Sequence, residues 1–120
     1  MFSSEQLPLY ERKANLFKGL AHPYRVRVLE ILSAAPEASV SELLADTGLE
    51  ASHLSQHLAV LRKYGLVVSE RRANIVHYRL AHSEVADLLQ AARQLLTGML
   101  HVSRKQLDSL ENLPGIAGRR

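Results

Sequence analysis

The sequence predicts a single, mainly helical α+β domain in which four helices precede a two-stranded hairpin and a last helix. The first observation is that apolar residues recur at intervals of three and four along most of the chain, which is the period of a helix face. The second is that two β-rich runs replace this period between residues 66 and 80. The third is the length of 120 residues, which suits one domain, and we expect that domain to span residues 1–120.

The composition excludes several classes of protein. There is no cysteine, which excludes disulfides, thiolate metal sites and thiol redox sensing. No apolar run approaches the roughly 20 residues of a membrane span. The N-terminus lacks the charged start and apolar core of a secretory signal, so we expect a cytoplasmic protein that does not contact a membrane. The formal net charge of +3 is a mild basic excess, which is compatible with nucleic acid as a partner.

Two helices are predicted in the first third of the chain. Between residues 6 and 20 the apolar side chains keep a helical spacing, at Leu7, Tyr10, Ala14, Phe17 and Leu20. Pro23 fits the first turn of a second helix, which we expect to run to about Ser33. The segment AAPEAS at residues 34–39 is predicted to be a loop.

A helix-turn-helix is predicted over about residues 41–64. Ser41 is a candidate N-cap for a short helix over residues 42–46, which Gly48 would end. A second helix follows at once and stops at Gly65. Two short helices joined by a tight turn are the arrangement that, in DNA-binding proteins, places the second helix in the major groove.

The second of these helices carries two different faces. Three leucines cluster on one side at 100° per residue and must face a core: Leu54, Leu58 and Leu61. The opposite side consists of small, hydrogen-bonding or cationic residues: Ser52, Ser55, Gln56, Ala59 and Lys63. A glutamine can pair with adenine in the major groove, and serine suits phosphates or base edges. We therefore predict that this face reads DNA, the alternative being a polar face that is only solvated.

Two histidines of the same helix need a separate interpretation. His53 and His57 are four residues apart, a spacing that can bind a metal ion on one helix face. Because both lie in the predicted reading helix, we interpret them as structural or close to DNA, with a metal site as the alternative. Both are therefore included among the predicted DNA-binding residues.

A cationic hairpin is predicted directly after the reading helix, over about residues 66–80. Two β-rich runs, LVVSERR and NIVHYRL, flank a polar turn. The polar and cationic residues in or beside this ribbon could follow the DNA backbone or enter the minor groove: Arg71, Arg72, Asn74, His77 and Arg79. A helix-turn-helix followed by a two-stranded wing is the winged-helix arrangement.

A long last helix is predicted over about residues 83–112. Its apolar residues form a wide stripe: Val85, Leu88, Leu89, Ala92, Leu95, Leu96, Met99, Val102 and Leu110. About 28 residues at 1.5 Å each give a helix of roughly 42 Å, which is longer than a domain of this size can cover. We therefore predict that this helix forms the seam of a dimer. The alternative is a surface helix with a frayed end.

Three segments resemble the ArsR/SmtB family of winged-helix transcriptional regulators. They are KGLAHPYRVRVLEIL at 18–32, SVSELLADTGLEASHLSQHLAVLRKYGLV at 39–67 and IVHYRL at 75–80. In the same order they are similar to the family's LAxPxRxxILxxL, SxxSxHLxxLxxxGLV and YxL patterns. The resemblance spans about residues 10–100.

The resemblance implies a fold and a mode of action. It implies a homodimer of α-α-α-α-β-β-α protomers, paired through the first helix at about residues 6–20 and the last at about 83–112. It further implies binding to a pseudo-palindromic operator in double-stranded DNA, usually as a repressor that an effector releases. Two-fold symmetry would place the two reading helices about one DNA turn apart, roughly 34–36 Å.

Many members of this family sense metals, and the resemblance extends to only part of their sites. A site type with cysteines before the reading helix is absent, because SELLADTG holds no thiolate. In a second type the resemblance puts His82 and Glu84 at the first ligand pair, but it puts Leu95 and Gly98, which cannot ligate, at the second.

The nearest imidazole to that second pair is His101, so His82, Glu84 and His101 are candidate ligands for Ni²⁺ or Zn²⁺, with Asp87 close by. The alternative is that Glu84 and Asp87 only complement the dipole of the last helix.

The function predicted from all these features is that of a homodimeric, sequence-specific transcriptional regulator, with a repressor favoured over an activator. A Ni- or Zn-responsive sensor, or a regulator switched by another small effector or by a partner protein, remains open. A winged-helix interaction module that does not bind DNA is a more distant alternative. We expect no enzyme, because the chain has no glycine-rich phosphate loop, no cysteine nucleophile and no base placed beside a hydroxyl.

Overall fold

The computed structural model describes residues 3–100 and 104–114 of the chain. Its elements in chain order are α1 (Leu7–Leu20), α2 (Pro23–Ala34), β1 (Ala38–Ser39), α3 (Val40–Thr47), α4 (Ala51–Lys63), β2 (Val67–Arg72), β3 (Ile75–Leu80), α5 (Glu84–Met99) and α6 (Arg104–Glu111). The predicted fold class, helices combined with a small antiparallel hairpin, is confirmed. Helix α3 and the reading helix α4 form the helix-turn-helix, and β2 and β3 form the wing.

The start of α3 differs from the sequence prediction. The N-cap is Ser39 and not Ser41, so the helix begins at Val40. The Ser39 hydroxyl accepts a hydrogen bond from the Glu42 backbone N–H at 3.1 Å, and the Glu42 carboxylate accepts one from the Ser39 N–H at 2.8 Å. This reciprocal capping box satisfies two amide groups that have no partner inside the helix, whereas Ser41 could satisfy at most one. The predicted end of the helix is confirmed, since Gly48 adopts a left-handed conformation with φ of 71°.

The sheet has one strand more than the sequence predicted. Residues 38 and 39, predicted as part of a loop, form β1 and pair with β3 in the register Ala38–Tyr78 and Ser39–His77. The hairpin itself runs from the pair Val67–Leu80 to the pair Arg72–Ile75. The strand order is therefore β1-β3-β2, and β1 brings the residues before it alongside the wing.

The tip of the wing is a tight two-residue turn. Ala73 and Asn74 both have positive φ, of 52° and 66°. Two successive residues of this kind give a turn whose twist matches the right-handed twist of the flanking strands. The turn thus holds the last pair of wing residues, Arg72 and Ile75, opposite each other.

The prediction of one continuous helix over residues 83–112 is wrong. Helix α5 ends at Met99, and Leu100 has extended backbone angles, with φ of −80° and ψ of 129°. Gly98 weakens the last turn, because glycine loses the most backbone freedom in a helix. Arg93 then donates a hydrogen bond to the carbonyl of Pro114 at 2.8 Å, which holds the segment after α6 against α5. The length of 16 residues gives α5 about 24 Å rather than 42 Å.

The core lies among α2, α3, α4, the wing and the first half of α5. It consists of residues that are at most 7% exposed: Val28, Leu29, Leu32, Ala38, Leu43, Leu54, Leu58, Leu61, Leu66, Val67, Tyr78, Val85 and Leu89. No residue of the predicted α1 stripe belongs to it, and Phe17 of that stripe is 60% exposed. The second half of α5 is also outside the core, with Leu95 64% and Met99 63% exposed. Among the described residues, no helix is long and apolar enough to cross a membrane.

One close contact joins α1 to the rest of the domain. Gly19 is buried where the end of α1 passes the residues that follow α4. A Cβ atom at this position would lie 2.9 Å from Leu66 Cδ1 and 3.2 Å from Tyr64 Cδ2. Any larger residue at this position would have to displace the side chains of Leu66 and Tyr64, so glycine lets α1 lie close to the residues that follow α4.

Candidate nucleic-acid interface

The reading helix α4 has the two faces that its sequence predicted. Leu54, Leu58 and Leu61 are at most 3% exposed and fix the helix to the core. The predicted contact residues of the other face are exposed: Ser52, His53, Ser55, Gln56 and Lys63. Helix α4 ends with two basic residues, Arg62 and Lys63. The exposed face of α4 is therefore a row of hydrogen-bonding side chains, and the C-terminal end of the helix is cationic.

His57 does not belong to this open face. Its ring centroid lies 4.2 Å from that of His22, and its Nδ1 atom lies 3.4 Å from Nη1 of Arg25. Burial lowers the pKa of His57, and the nearby His22, Arg25 and His53 lower it further. The imidazole therefore stays neutral near pH 7 and packs the reading helix against the start of α2.

Arg25 joins three elements at this point. Its Nε donates a hydrogen bond to the Gly19 carbonyl at 2.8 Å, and its Nη2 donates one to the Lys18 carbonyl at 3.2 Å. The same guanidinium reaches His57 on α4. Arg25 thus connects the end of α1, the start of α2 and the reading helix.

On the wing, Arg72 is bound by two carboxylates. Both of its Nη atoms donate to Glu37, and Nη1 also donates to Glu70 at 3.2 Å. The hydrogen bond from Arg72 is the main cause that lowers the pKa of Glu37. His77, which is half-buried, has its Nδ1 atom 3.4 Å from the same Glu37 carboxylate. Arg72 and His77 therefore face a carboxylate cluster as well as solvent.

The neighbouring Arg71 has different surroundings. Its strand partner is Val76, so it projects from the opposite face of the hairpin to Arg72. Arg71 is exposed and makes no hydrogen bond or ion pair with any residue that the structure describes. Asn74 is exposed at the turn. Of the predicted wing residues, Arg71 and Asn74 are thus the ones with open surroundings.

Comparison with known proteins places this geometry in a family. The model of the bacterial regulatory proteins of the arsR family matches residues 22–69, which contain α2, the helix-turn-helix and the start of the wing. The uncharacterized HTH-type transcriptional regulator Rv0081 of Mycobacterium tuberculosis is 48% identical over 97 residues, which are 80% of this chain and 84% of that protein. The chain belongs to the ArsR family. This ArsR-family protein is accordingly a transcriptional regulator with a winged-helix DNA-binding fold, and not an enzyme.

Further relatives of this ArsR-family protein include two solved structures with the same fold. The crystal structure of Rv0081 superposes with a TM-score of 0.70 and 45% identity, over 86% of this chain and 97% of that one. The biofilm growth-associated repressor of Agrobacterium fabrum is 42% identical over 89 residues, 71% of this chain and 75% of that protein. The homodimeric winged helix-turn-helix DNA-binding domain Mb0332 of Mycobacterium bovis superposes with a TM-score of 0.76 and 27% identity, over 84% of this chain and 93% of that one.

The candidate metal ligands of the ArsR-family protein are not brought together in the described part of the chain. His82, Glu84 and Asp87 are exposed around the start of α5. No group of three or more histidine and carboxylate side chains that could hold a metal ion occurs in residues 3–100 and 104–114. His101 lies outside the described residues, so the set of His82, Glu84 and His101 stays a prediction.

Sequence reasoning missed two residues of this interface. Arg25 lies in the second helix, and its role depends on the contact between α2 and His57. Glu37 lies in the predicted loop, and its position beside Arg72 follows from the pairing of β1 with β3. The family pattern contains Arg25, but no local pattern shows its contact with His57 or that of Glu37 with Arg72, because both contacts span more than 30 positions of the chain.

Proposed function

We propose that this protein is a homodimeric repressor that binds a pseudo-palindromic operator in double-stranded DNA. The observation that carries the proposal is the exposed face of α4, where Ser52, Ser55 and Gln56 lie opposite buried leucines. The relative named as a biofilm growth-associated repressor supports repression as the mode of action. Such a protein acts in the cytoplasm, where bacterial DNA lies.

The proposed contacts divide into two kinds. Gln56 reads a base edge in the major groove, with Ser52, His53 and Ser55 beside it on the same open face. The phosphate contacts are made by cations at the margins, Lys63 on α4 and Arg71 on the wing. Asn74 and His77 contribute from the wing, while His57 orients α4 from behind through His22 and Arg25.

The proposed dimer uses the apolar surfaces that the domain leaves outside its core. Helix α1 exposes Leu9 and Phe17 at about 60%, and α5 exposes Leu95 and Met99 to the same degree. Large exposed apolar side chains on a helix are typical of a protein interface. The homodimeric relative from Mycobacterium bovis supports this state. Two-fold symmetry would then place the two copies of α4 about one DNA turn apart, roughly 34–36 Å.

The test measures specific and non-specific binding separately. Fluorescence anisotropy is followed while the protein is titrated into its own upstream DNA and into a scrambled duplex of the same length. Gln56→Ala is expected to weaken binding to the upstream DNA by about 1–3 kcal/mol and to leave the scrambled duplex nearly unchanged. Arg71→Ala is expected to weaken both and to flatten the salt dependence, because a phosphate contact carries no sequence information.

The matched control is Gln94→Ala, the same change at an exposed position of α5. It should leave both affinities as they are. If Gln56→Ala lowers the two affinities equally, Gln56 does not read bases. If the unmodified protein binds neither duplex, a winged-helix interaction module becomes the better proposal. Repeating the titration with Ni²⁺, with Zn²⁺ and with a chelator tests whether a metal is the effector.

A further inference from the structure

The carboxylate of Glu37 occupies the part of Arg72 that would bind a phosphate. Oε1 accepts a hydrogen bond from Nη1 at 3.0 Å, and Oε2 accepts one from Nη2. This is the two-pronged geometry with which a guanidinium binds either a carboxylate or a phosphate. Glu37 thus takes up the Nη1/Nη2 edge of the guanidinium, and a phosphate that binds at this edge has to displace it.

The fold brings Glu37 to the wing from a distant part of the chain. Glu37 directly precedes β1, and β1 pairs with β3 through Ala38–Tyr78 and Ser39–His77. Arg72 is the last residue of β2, opposite Ile75 at the tip of the hairpin. Glu70, two residues before Arg72 on the same strand face, takes a second hydrogen bond from Nη1 at 3.2 Å. This clamp therefore joins Glu37, which precedes β1, to Glu70 and Arg72 of β2.

The charges on this face of the wing cancel. The carboxylates of Glu37 and Glu70 oppose the guanidinium groups of Arg72 and Arg79, and Arg79 is close enough to act on Glu37. On the opposite face Arg71 has no such partner among the described residues. Two adjacent arginines of one strand thus differ in their availability to an anion.

We propose that Glu37 is a positioning residue that holds Arg72 away from the DNA backbone and so limits the affinity of the wing for DNA of any sequence. The proposal rests on the proposed DNA-binding function. An exposed ion pair contributes little to stability. The effect of Glu37 is therefore expected in the binding of DNA and not in the folding of the domain.

The test is a cycle of four proteins: the unmodified chain, Glu37→Gln, Arg72→Gln and the double variant. Each is titrated against a scrambled duplex by fluorescence anisotropy at several salt concentrations. Glu37→Gln is expected to raise this non-specific affinity by roughly tenfold at low salt and to steepen the salt dependence, by about one phosphate contact for each wing. Arg72→Gln alone is expected to change little, and the double variant should resemble Arg72→Gln.

Two further variants test whether a rise in affinity comes from the loss of the Glu37–Arg72 contact or from the loss of any negative charge. Glu111→Gln makes the same charge change on α6 and should leave the affinity unchanged. Glu37→Asp keeps the charge but withdraws it from the guanidinium by one methylene, and a partial rise in affinity is expected. Far-UV circular dichroism and the urea midpoint of each variant report that the domain is folded.

The outcomes distinguish this proposal from the proposed function. If Glu37→Gln raises the affinity equally with and without Arg72, the carboxylate acts by its own repulsion and the clamp is refuted. The clamp is also refuted if Glu37→Gln binds DNA as the unmodified protein does. If the unmodified protein binds no duplex at any salt concentration, both proposals fail together.

Discussion

At the scale of single residues, the neighbours Gln56 and His57 show how one step along a helix changes the chemistry of a side chain. Gln56 is exposed on the open face of α4, whereas His57 is half-buried against His22 and Arg25. Because burial, together with the nearby His22, Arg25 and His53, lowers the pKa of His57, protonation of this imidazole opposes folding. The reading helix is thus fixed to the domain by a contact that depends on a neutral histidine.

We expect this contact to make the stability of the domain depend on pH. A histidine whose pKa is lowered below its usual 6.5 stabilises the fold fully above that value. The stabilisation is lost as the pH falls through the lowered pKa, because the unfolded chain takes up the proton first. The urea midpoint of the unmodified protein should therefore fall between about pH 8 and pH 5.5 by more than that of His57→Gln.

The matched control for this experiment is His82→Gln, since His82 is exposed at the start of α5 and is not among the groups that lower the pKa of His57. It should keep the pH dependence of the unmodified protein. All midpoints are compared at one protein concentration, because association changes apparent stability. Equal pH dependence in His57→Gln and the unmodified protein would contradict the expectation.

Single residues also show which features could be predicted from the sequence and which could not. The buried leucines of α4 and the exposed Gln56 follow from helical period alone, and the structure agrees with both. The half-buried position of His57 does not follow, because it depends on His22 and Arg25, which lie more than 30 positions away. The same holds for the partners of Arg72, since Glu37 reaches it only through the pairing of β1 with β3.

At the scale of secondary-structure elements, a buried ion pair joins α2 to α5. The Nη2 atom of Arg93 lies 3.4 Å from Oε2 of Glu30, and both side chains are about nine-tenths buried. Burial raises the pKa of Glu30, and Arg93 opposes that rise. The Nε of Arg93 is buried without a hydrogen-bond partner among the described residues. The pair therefore consists of two charges that are removed from water, and the Nε–H group of Arg93 has no hydrogen-bond acceptor among the described residues.

We expect this pair to matter most when only one half of it is removed. Glu30→Leu leaves the Arg93 guanidinium buried without its counter-charge, which should lower the free energy of unfolding by about 3 kcal/mol. The double variant Glu30→Leu/Arg93→Leu removes both charges and should recover much of that loss. Urea denaturation of the two single variants and the double variant at one protein concentration measures the difference. A double variant that loses the full sum of the two single effects would contradict the argument.

Elements with a clear local signal were predictable, and those without one were not. The helical period of residues 7–20, the glycine after α3 and the turn at the tip of the wing all lie where the sequence indicated. A strand of two residues, Ala38–Ser39, is too short to show alternation, so β1 was missed. The sequence contains the S-x-x-E pattern of the capping box formed by Ser39 and Glu42. Ser41, two residues later, was a competing N-cap candidate. The break after Met99 has only the weak signal of Gly98.

At the scale of the whole molecule, the apolar side chains that do not enter the core lie mostly on α1 and on the second half of α5. Phe17, Leu95 and Met99 are all at least 60% exposed. Exposed apolar area of this kind is costly in water and is recovered when two subunits associate. The proposed dimer would therefore bury apolar side chains of α1 and α5 that the single domain leaves exposed.

A charge in the proposed seam should separate the subunits. Leu95→Glu places a carboxylate on the exposed face of α5, and burying it unpaired opposes association. Sedimentation equilibrium is expected to show a dissociation constant raised at least about tenfold, a change of roughly 1.4 kcal/mol. Ile75→Glu is the matched control, because Ile75 is 50% exposed at the tip of the wing. Equal effects of the two substitutions would place the seam elsewhere.

The close passage of α1 beside the end of α4 has a mechanical consequence. At Gly19 the backbone of α1 lies close to the side chains of Tyr64 and Leu66, which follow α4, so a tilt of α1 toward them would displace these side chains. In a dimer held together through α1, the angle of this crossing sets the distance between the two reading helices. The number of base pairs between operator half-sites would then be determined at a joint that touches no DNA. Selection for a different operator length would then act on this joint and leave the proposed base contacts of α4 as they are.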